Sequence, residues 1–162
     1  MKRKIKHVEL DCPKILDAIT FLIQFGPLKR EYPNEAAFKE DIQATIQNYL
    51  EKNKLSETVR LLSDSQDQGL VAPAAIFGVD FYPDIVLEEN GEPLVAILVK
   101  LVKSNPAGLV QAAGRALVFS HQYPWVLSLV LDLGKRRREK RDLDHEFRAD
   151  MWHNRQVRFL FR

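Results

Sequence analysis

The stretch Phe81-Tyr82-Pro83-Asp84-Ile85-Val86-Leu87-Glu88-Glu89-Asn90-Gly91-Glu92-Pro93-Leu94-Val95-Ala96-Ile97-Leu98-Val99-Lys100 sets how the rest of this chain is read. It reads as two strands, Asp84 to Leu87 going in and Leu94 to Leu101 coming back, joined at Glu89-Asn90-Gly91. Gly91 suits the left-handed position of a three-residue loop of the type I plus bulge kind. If Glu88 then faces Glu92, even positions of both strands share one face. Asp80, Asp84, Ala96, Leu98 and Lys100 point the same way, and Val95, Ile97, Val99 and Leu101 face the other side, where a helix is expected. An Asp at the mouth of one buried strand and a Lys inside the next are costly without partners, by several kcal/mol in order of magnitude, so compensating groups are expected nearby.

At 162 residues the chain fits one domain spanning 1–162, large enough to bury a core without disulfides. The single Cys12 makes no internal pair, and no Cys/His cluster has zinc-site spacing. No run approaches the roughly 20 apolar residues of a spanning helix, and no apolar region of signal-peptide type follows the basic start, so a soluble, cytoplasmic protein with no membrane partner is expected. The formal net charge is only +2, but its distribution is uneven. Lys135-Arg136-Arg137-Arg138-Glu139-Lys140-Arg141 concentrates positive charge able to neutralise phosphates, although a solvated loop or helix end would look the same.

Outward from the hairpin, Ile15, Ile19, Leu22 and Ile23 at helical spacing predict a helix from Pro13 to Phe25, ending before Gly26-Pro27. Asn34 caps a second helix whose apolar face is Phe38, Ile42, Ile46 and Leu50, with Glu35 and Glu40 near its positive end. Leu55 to Leu62 fits a first strand or the end of a longer helix. Asn105-Pro106 opens a helix from Leu109 to Gln122, with Gln111 and Arg115 one turn apart; Gly114 within it suggests close approach to the sheet or a ligand. Trp125 to Asp132 is a buried strand expected beside the Lys100 strand. Asp144 to Asn154 reads as helix and Gln156 to Arg162 as a last strand. The expected class is α/β, a mixed sheet flanked by helices.

Pro83, Asp84 and Lys100 resemble the signature of the PD-(D/E)xK nuclease superfamily, which includes restriction enzymes, RecB-type nucleases and junction resolvases. In that family a Pro-Asp opens one strand and an acid stands two residues before a Lys on the next. The departure is Leu98, which stands where the second acid should be. The resemblance implies a restriction-endonuclease-like core, a DNA substrate, and Mg²⁺ or Mn²⁺ as cofactor. It makes Asp84 a metal ligand and Lys100 the catalytic amine. It nominates Glu35 on the leading helix as a further catalytic and metal-binding acid, with Glu40 second, although both acids also simply suit a helix N-terminus. Asp80 is the spare carboxylate. The family's Gln-x-x-x-Tyr is matched by Gln111, with Arg115 in place of the Tyr.

Phosphodiester hydrolysis needs a metal to polarise the phosphate and activate water, and hard divalent ions prefer carboxylate oxygens. A Lys can orient the water or stabilise developing charge. Two functions follow. One is a metal-dependent DNA endonuclease completed by a relocated acid. The other is a catalytically inactive nuclease-fold module for nucleic-acid binding or assembly, using Lys100, Lys103, Gln111, Arg115 and the run Lys135, Arg136, Arg137, Arg138. Pairing of two chains into a homodimer is compatible with either. The four histidines are scattered, Ser120 lacks a nucleophile elbow, and no Gly-rich phosphate loop is present.

Overall fold

In the computed structural model, which describes residues 11–67, 69–103, 105–134 and 142–162, the Asp11 carboxylate accepts from the Lys14 N–H and opens α1 (Cys12–Phe25). Ile15, Leu16, Ile19 and Ile23 form its buried stripe. The Asn34 side chain accepts from the Ala37 N–H at 2.9 Å and starts α2 (Glu35–Lys52), which buries Phe38, Ile42, Ile46 and Leu50. Such a cap satisfies one of the N–H groups that every helix start leaves unpaired. The segment that periodicity left open, Leu55 to Leu62, resolves as a turn followed by strand, because α2 has already ended at Lys52. The helix stops, Lys54 turns the chain with φ +55°, and β1 (Val59–Ser63) follows.

Next comes an element that the sequence reading did not separate. Ala74–Ile76 (β2) and Val79–Phe81 (β3) pair as a small antiparallel ribbon of their own, turned at Phe77 and Gly78. The remaining elements are β4 (Ile85–Glu89), β5 (Glu92–Val102), α3 (Ala107–Phe119), β6 (Trp125–Asp132), α4 (Asp142–Arg155) and β7 (Val157–Phe161). Five strands make one mixed sheet in the order β1-β4-β5-β6-β7, antiparallel through β5 and parallel from β5 to β7. The strand from Trp125 does lie beside the Lys100 strand, with Lys100 opposite Val130.

The hairpin turn differs from the three-residue loop expected. Glu89 pairs with Glu92, so the connection is the two residues Asn90 and Gly91, both at positive φ (+54° and +86°), a type I′ arrangement suited to the strand twist. The ladder then slips: Glu88 faces Pro93 but Leu87 faces Val95, leaving Leu94 as an extra residue. Pro93 has no N–H to contribute, which is why regular pairing fails there. Turn and bulge offset one another, and even positions face even positions again from Val86 opposite Ala96 onward.

The sheet is therefore covered as its alternation requires. Ile85, Leu87, Val95, Ile97 and Val99 pack with the stripes of α1 and α2. Val86, Ala96 and Leu98 pack on the opposite face with Ala116 and Phe119 of α3, and Met151 of α4 joins them. Among the described residues no helix is long and apolar enough to cross a membrane.

Gly114 is a second correction. It does not approach the sheet; a Cβ there would meet nothing within 4 Å, and its φ is not positive. Gly114→Ala therefore gains helix propensity without a clash, and chemical denaturation should show a gain of about 0.5–1 kcal/mol with an unchanged denaturant slope.

Candidate functional site at the open edge of the central strand

β4 ends its pairing at Ile85 opposite Ile97, while β5 runs on to Val102. Beyond Ile97, β5 keeps β6 on one side and, among the described residues, has no strand on the other. Backbone N–H groups along such an edge need acceptors. Two carboxylates supply them. Asp84 Oδ2 accepts from the Val99 N–H at 2.8 Å, and Glu35 Oε2 accepts from the Leu101 N–H at 3.0 Å. One acid comes from the residue just before β4, the other from the first turn of α2.

Both acids also hold cations. Lys39 Nζ lies 3.4 Å from Asp84 Oδ1 and Arg115 Nη1 3.3 Å from Asp84 Oδ2, and the Asp84 side chain is 16 % exposed. Lys39 belongs to α2 and Arg115 to α3, so the two cations reach one carboxylate from opposite faces of the sheet. Arg115 Nη2 donates to the Tyr82 carbonyl at 3.2 Å, fixing the segment that presents Asp84. Glu35 in turn meets Lys100 Nζ at 3.2 Å. The compensation that a buried Asp and Lys demand is thus present, but not as an Asp84–Lys100 pair.

Beside Lys100 an open cleft of about 420 Å³ lies between the first turns of α2 and α3, lined by Glu35, Lys100, Lys103, Asn105, Gly108 and Gln111 among others. Gly108 permits this arrangement. A Cβ on it would stand 3.0 Å from a Val102 methyl and 3.7 Å from Lys100 Cε, a contact tight enough that the Val102 side chain would have to give by a few tenths of an ångström. Lys103 donates to the Pro33 carbonyl at 3.1 Å and ties the cleft's rim to the start of α2.

The structure thus brings together six of the residues singled out in the sequence: Asp84 with Arg115, Glu35 with Lys100, and Lys103 and Gln111 along the cleft. Asp80 is placed elsewhere. It sits exposed on β3, in the separate ribbon, so alternation along β4 does not reach it. Lys135, Arg136, Arg137 and Arg138 lie outside the described residues. Among the described residues no three His, Cys, Asp or Glu side chains form a group able to hold a metal ion. Lys39 is the residue that sequence reasoning missed. Its only signal was its place four residues after Glu35, which ordinarily reads as an exposed pair within one helix.

Leu98 is 2 % exposed and packs on the α3 side. Its neighbour across the parallel ladder is Ser128, 1 % exposed, whose Oγ has no hydrogen-bond partner among the described residues. A buried hydroxyl thus stands beside a side chain that cannot accept from it.

No protein-family model matches the chain, and no curated protein or solved structure matches it either.

Removing the Asp84 carboxylate should strand the Val99 N–H and two partly buried cations at once. Asp84→Ala is expected to cost about 3 kcal/mol in chemical denaturation, and Asp84→Asn clearly less, because the amide oxygen still accepts from Val99. Ser128→Ala should run the other way, neutral to about 1 kcal/mol more stable, since it deletes a buried donor that bonds to nothing.

Proposed function

We propose that this chain is a nuclease-fold module, with a restriction-endonuclease-like core, that binds nucleic acid through its former catalytic edge and does not cut it. The observation carrying this reading is the occupation of Asp84. One of its oxygens faces Lys39, the other faces Arg115 and the Val99 N–H, and an apolar Leu98 stands where a second acid would be needed. Mg²⁺ demands several hard oxygen ligands in near-octahedral geometry. A lone carboxylate already neutralised by two side-chain cations does not fit that demand, so on this reading neither Mg²⁺ nor Mn²⁺ is a resident cofactor.

What remains is cationic. Lys39, Lys100, Lys103 and Arg115 are gathered around Asp84 and Glu35, an excess of positive charge at the place where the resemblance puts the scissile phosphate. Such a cluster favours a polyanion by releasing its counterions, independent of sequence.

One observation favours the competing reading of a metal-dependent endonuclease. Asp84 and Glu35 accept from N–H groups two residues apart on the same strand edge, so they flank Lys100. The experiment that separates the readings is incubation of plasmid and single-stranded DNA with Mg²⁺ or Mn²⁺, beside binding of the same DNA in EDTA. Intact DNA that is bound in EDTA, with affinity falling as salt rises, is the expected result. Metal-dependent cutting that disappears in both Asp84→Ala and Lys100→Ala would replace the binding module with an enzyme completed by Glu35.

A further inference from the structure

We infer that Lys39 and Arg115 form a metal-independent clamp for a nucleic-acid phosphodiester, with Asp84 as the internal counter-ion that the phosphate competes with. The inference rests on the proposed nucleic-acid binding and adds the residues, the ligand group and the absence of a metal requirement. Two cations on one carboxylate leave a local excess of one positive charge. Their donors are also far from used. A lysine ammonium has three N–H donors, and Lys39 directs one to Asp84. A guanidinium has five, and Arg115 engages Asp84 with Nη1 and the Tyr82 carbonyl with Nη2.

The geometry explains why the pair is preformed. Lys39 comes from α2 on one face of the sheet and Arg115 from α3 on the other, and Asp84 lies between them, itself held by the Val99 N–H. Both cations are part-buried, 17 % and 32 % exposed, so their side chains are already ordered and their charges poorly screened. A phosphodiester has one negative charge and acceptor oxygens that match such a fork. In a metal-binding arrangement Asp84 would be required for binding phosphate. In the clamp it opposes binding. The two therefore predict opposite signs for the same substitution.

The test is fluorescence anisotropy with a labelled duplex and a labelled single strand in EDTA, over a series of NaCl concentrations, for wild type, Lys39→Gln, Arg115→Gln, Asp84→Asn and the double variant Lys39→Gln/Asp84→Asn. Each single cation loss should weaken binding by roughly fivefold at about 0.1 M salt and lower the slope of log K against log[salt] by about 0.9. Asp84→Asn should tighten binding by a similar factor. The double variant keeps the net charge of wild type and leaves Arg115 without its carboxylate, so it reads the loss of Lys39 with the Asp84 counter-ion already gone. It should bind more weakly than Asp84→Asn by the factor that Lys39→Gln costs in wild type, with thermal unfolding confirming a folded protein. Lys39→Arg should restore binding. Salt-sensitive binding that is unchanged in affinity and slope across the Lys39 and Arg115 variants would overturn the clamp while leaving the nucleic-acid reading intact. Binding seen only with Mn²⁺ and lost in Asp84→Asn would also overturn it, by making Asp84 a metal ligand. No binding to either DNA under any condition would remove both the clamp and the reading beneath it.

Discussion

β5 outruns its neighbour, and much else in the molecule answers that mismatch. A central strand with an uncovered edge has N–H groups that must be paired, either by another strand, by water or by side chains. Here the antiparallel partner stops at Ile85 and the acceptors are the carboxylates of Asp84 and Glu35. Once two anions are placed at a part-buried edge, they need cations. Lys39, Arg115 and Lys100 supply them. The charged cluster is therefore continuous with the hydrogen bonding of the sheet, not an addition to its surface.

The same cluster joins the layers. Lys39 from α2 and Arg115 from α3 meet at one side chain, so both helical layers are registered against the end of β4. Arg115 further fixes the Tyr82 carbonyl, the point where the small ribbon enters the main sheet. Hydrophobic burial of Phe38, Ile42, Ile46 and Leu50 below the sheet, and of Ala116 and Phe119 above it, holds the layers together without direction. The charged contacts add the direction that apolar packing lacks. Their net worth in stability is modest, because desolvation offsets much of the attraction, but loss of a single member leaves its partners exposed to that cost.

How far the sequence could be read depended on whether a signal was periodic or relational. The stripe of α2, the buried run of β6 and the two faces of the hairpin are periodic, and each follows from spacing alone. The hairpin's faces were legible for an accidental reason. A two-residue turn and a bulge at Leu94 differ from a three-residue loop at both places, yet restore the same parity. The ribbon of β2 and β3 was not legible as strands, since three residues are too few to display a period. With it went the placement of Asp80. At the site, the resemblance singled out Asp84, Glu35, Lys100 and Arg115, but the pairing among them is relational. Lys39 sits four residues after Glu35 and would ordinarily pair with it; instead Glu35 turns to Lys100 and Lys39 to Asp84. Nothing in local spacing distinguishes these outcomes, because the choice is made by the strand edge lying across both.

Leu98 and Ser128 mark where the polar part of β5 stops. They are neighbours on β5 and β6, both buried on the α3 side, and one is a hydroxyl with no partner among the described residues. An acid at position 98 could accept from that hydroxyl. Leucine cannot, and it draws the middle of β5 into the apolar layer with Ala96 and Val86. The polar part of β5 is thereby confined to its last residues, where Lys100 meets Glu35 and the Val99 and Leu101 N–H groups meet their carboxylates. Charge is concentrated at the end of the strand and withdrawn from its centre. At that end each amine and the guanidinium is held on a carboxylate, Lys100 on Glu35 and Lys39 and Arg115 on Asp84, while from Leu98 inward the strand has only apolar neighbours on the α3 side apart from the Ser128 hydroxyl.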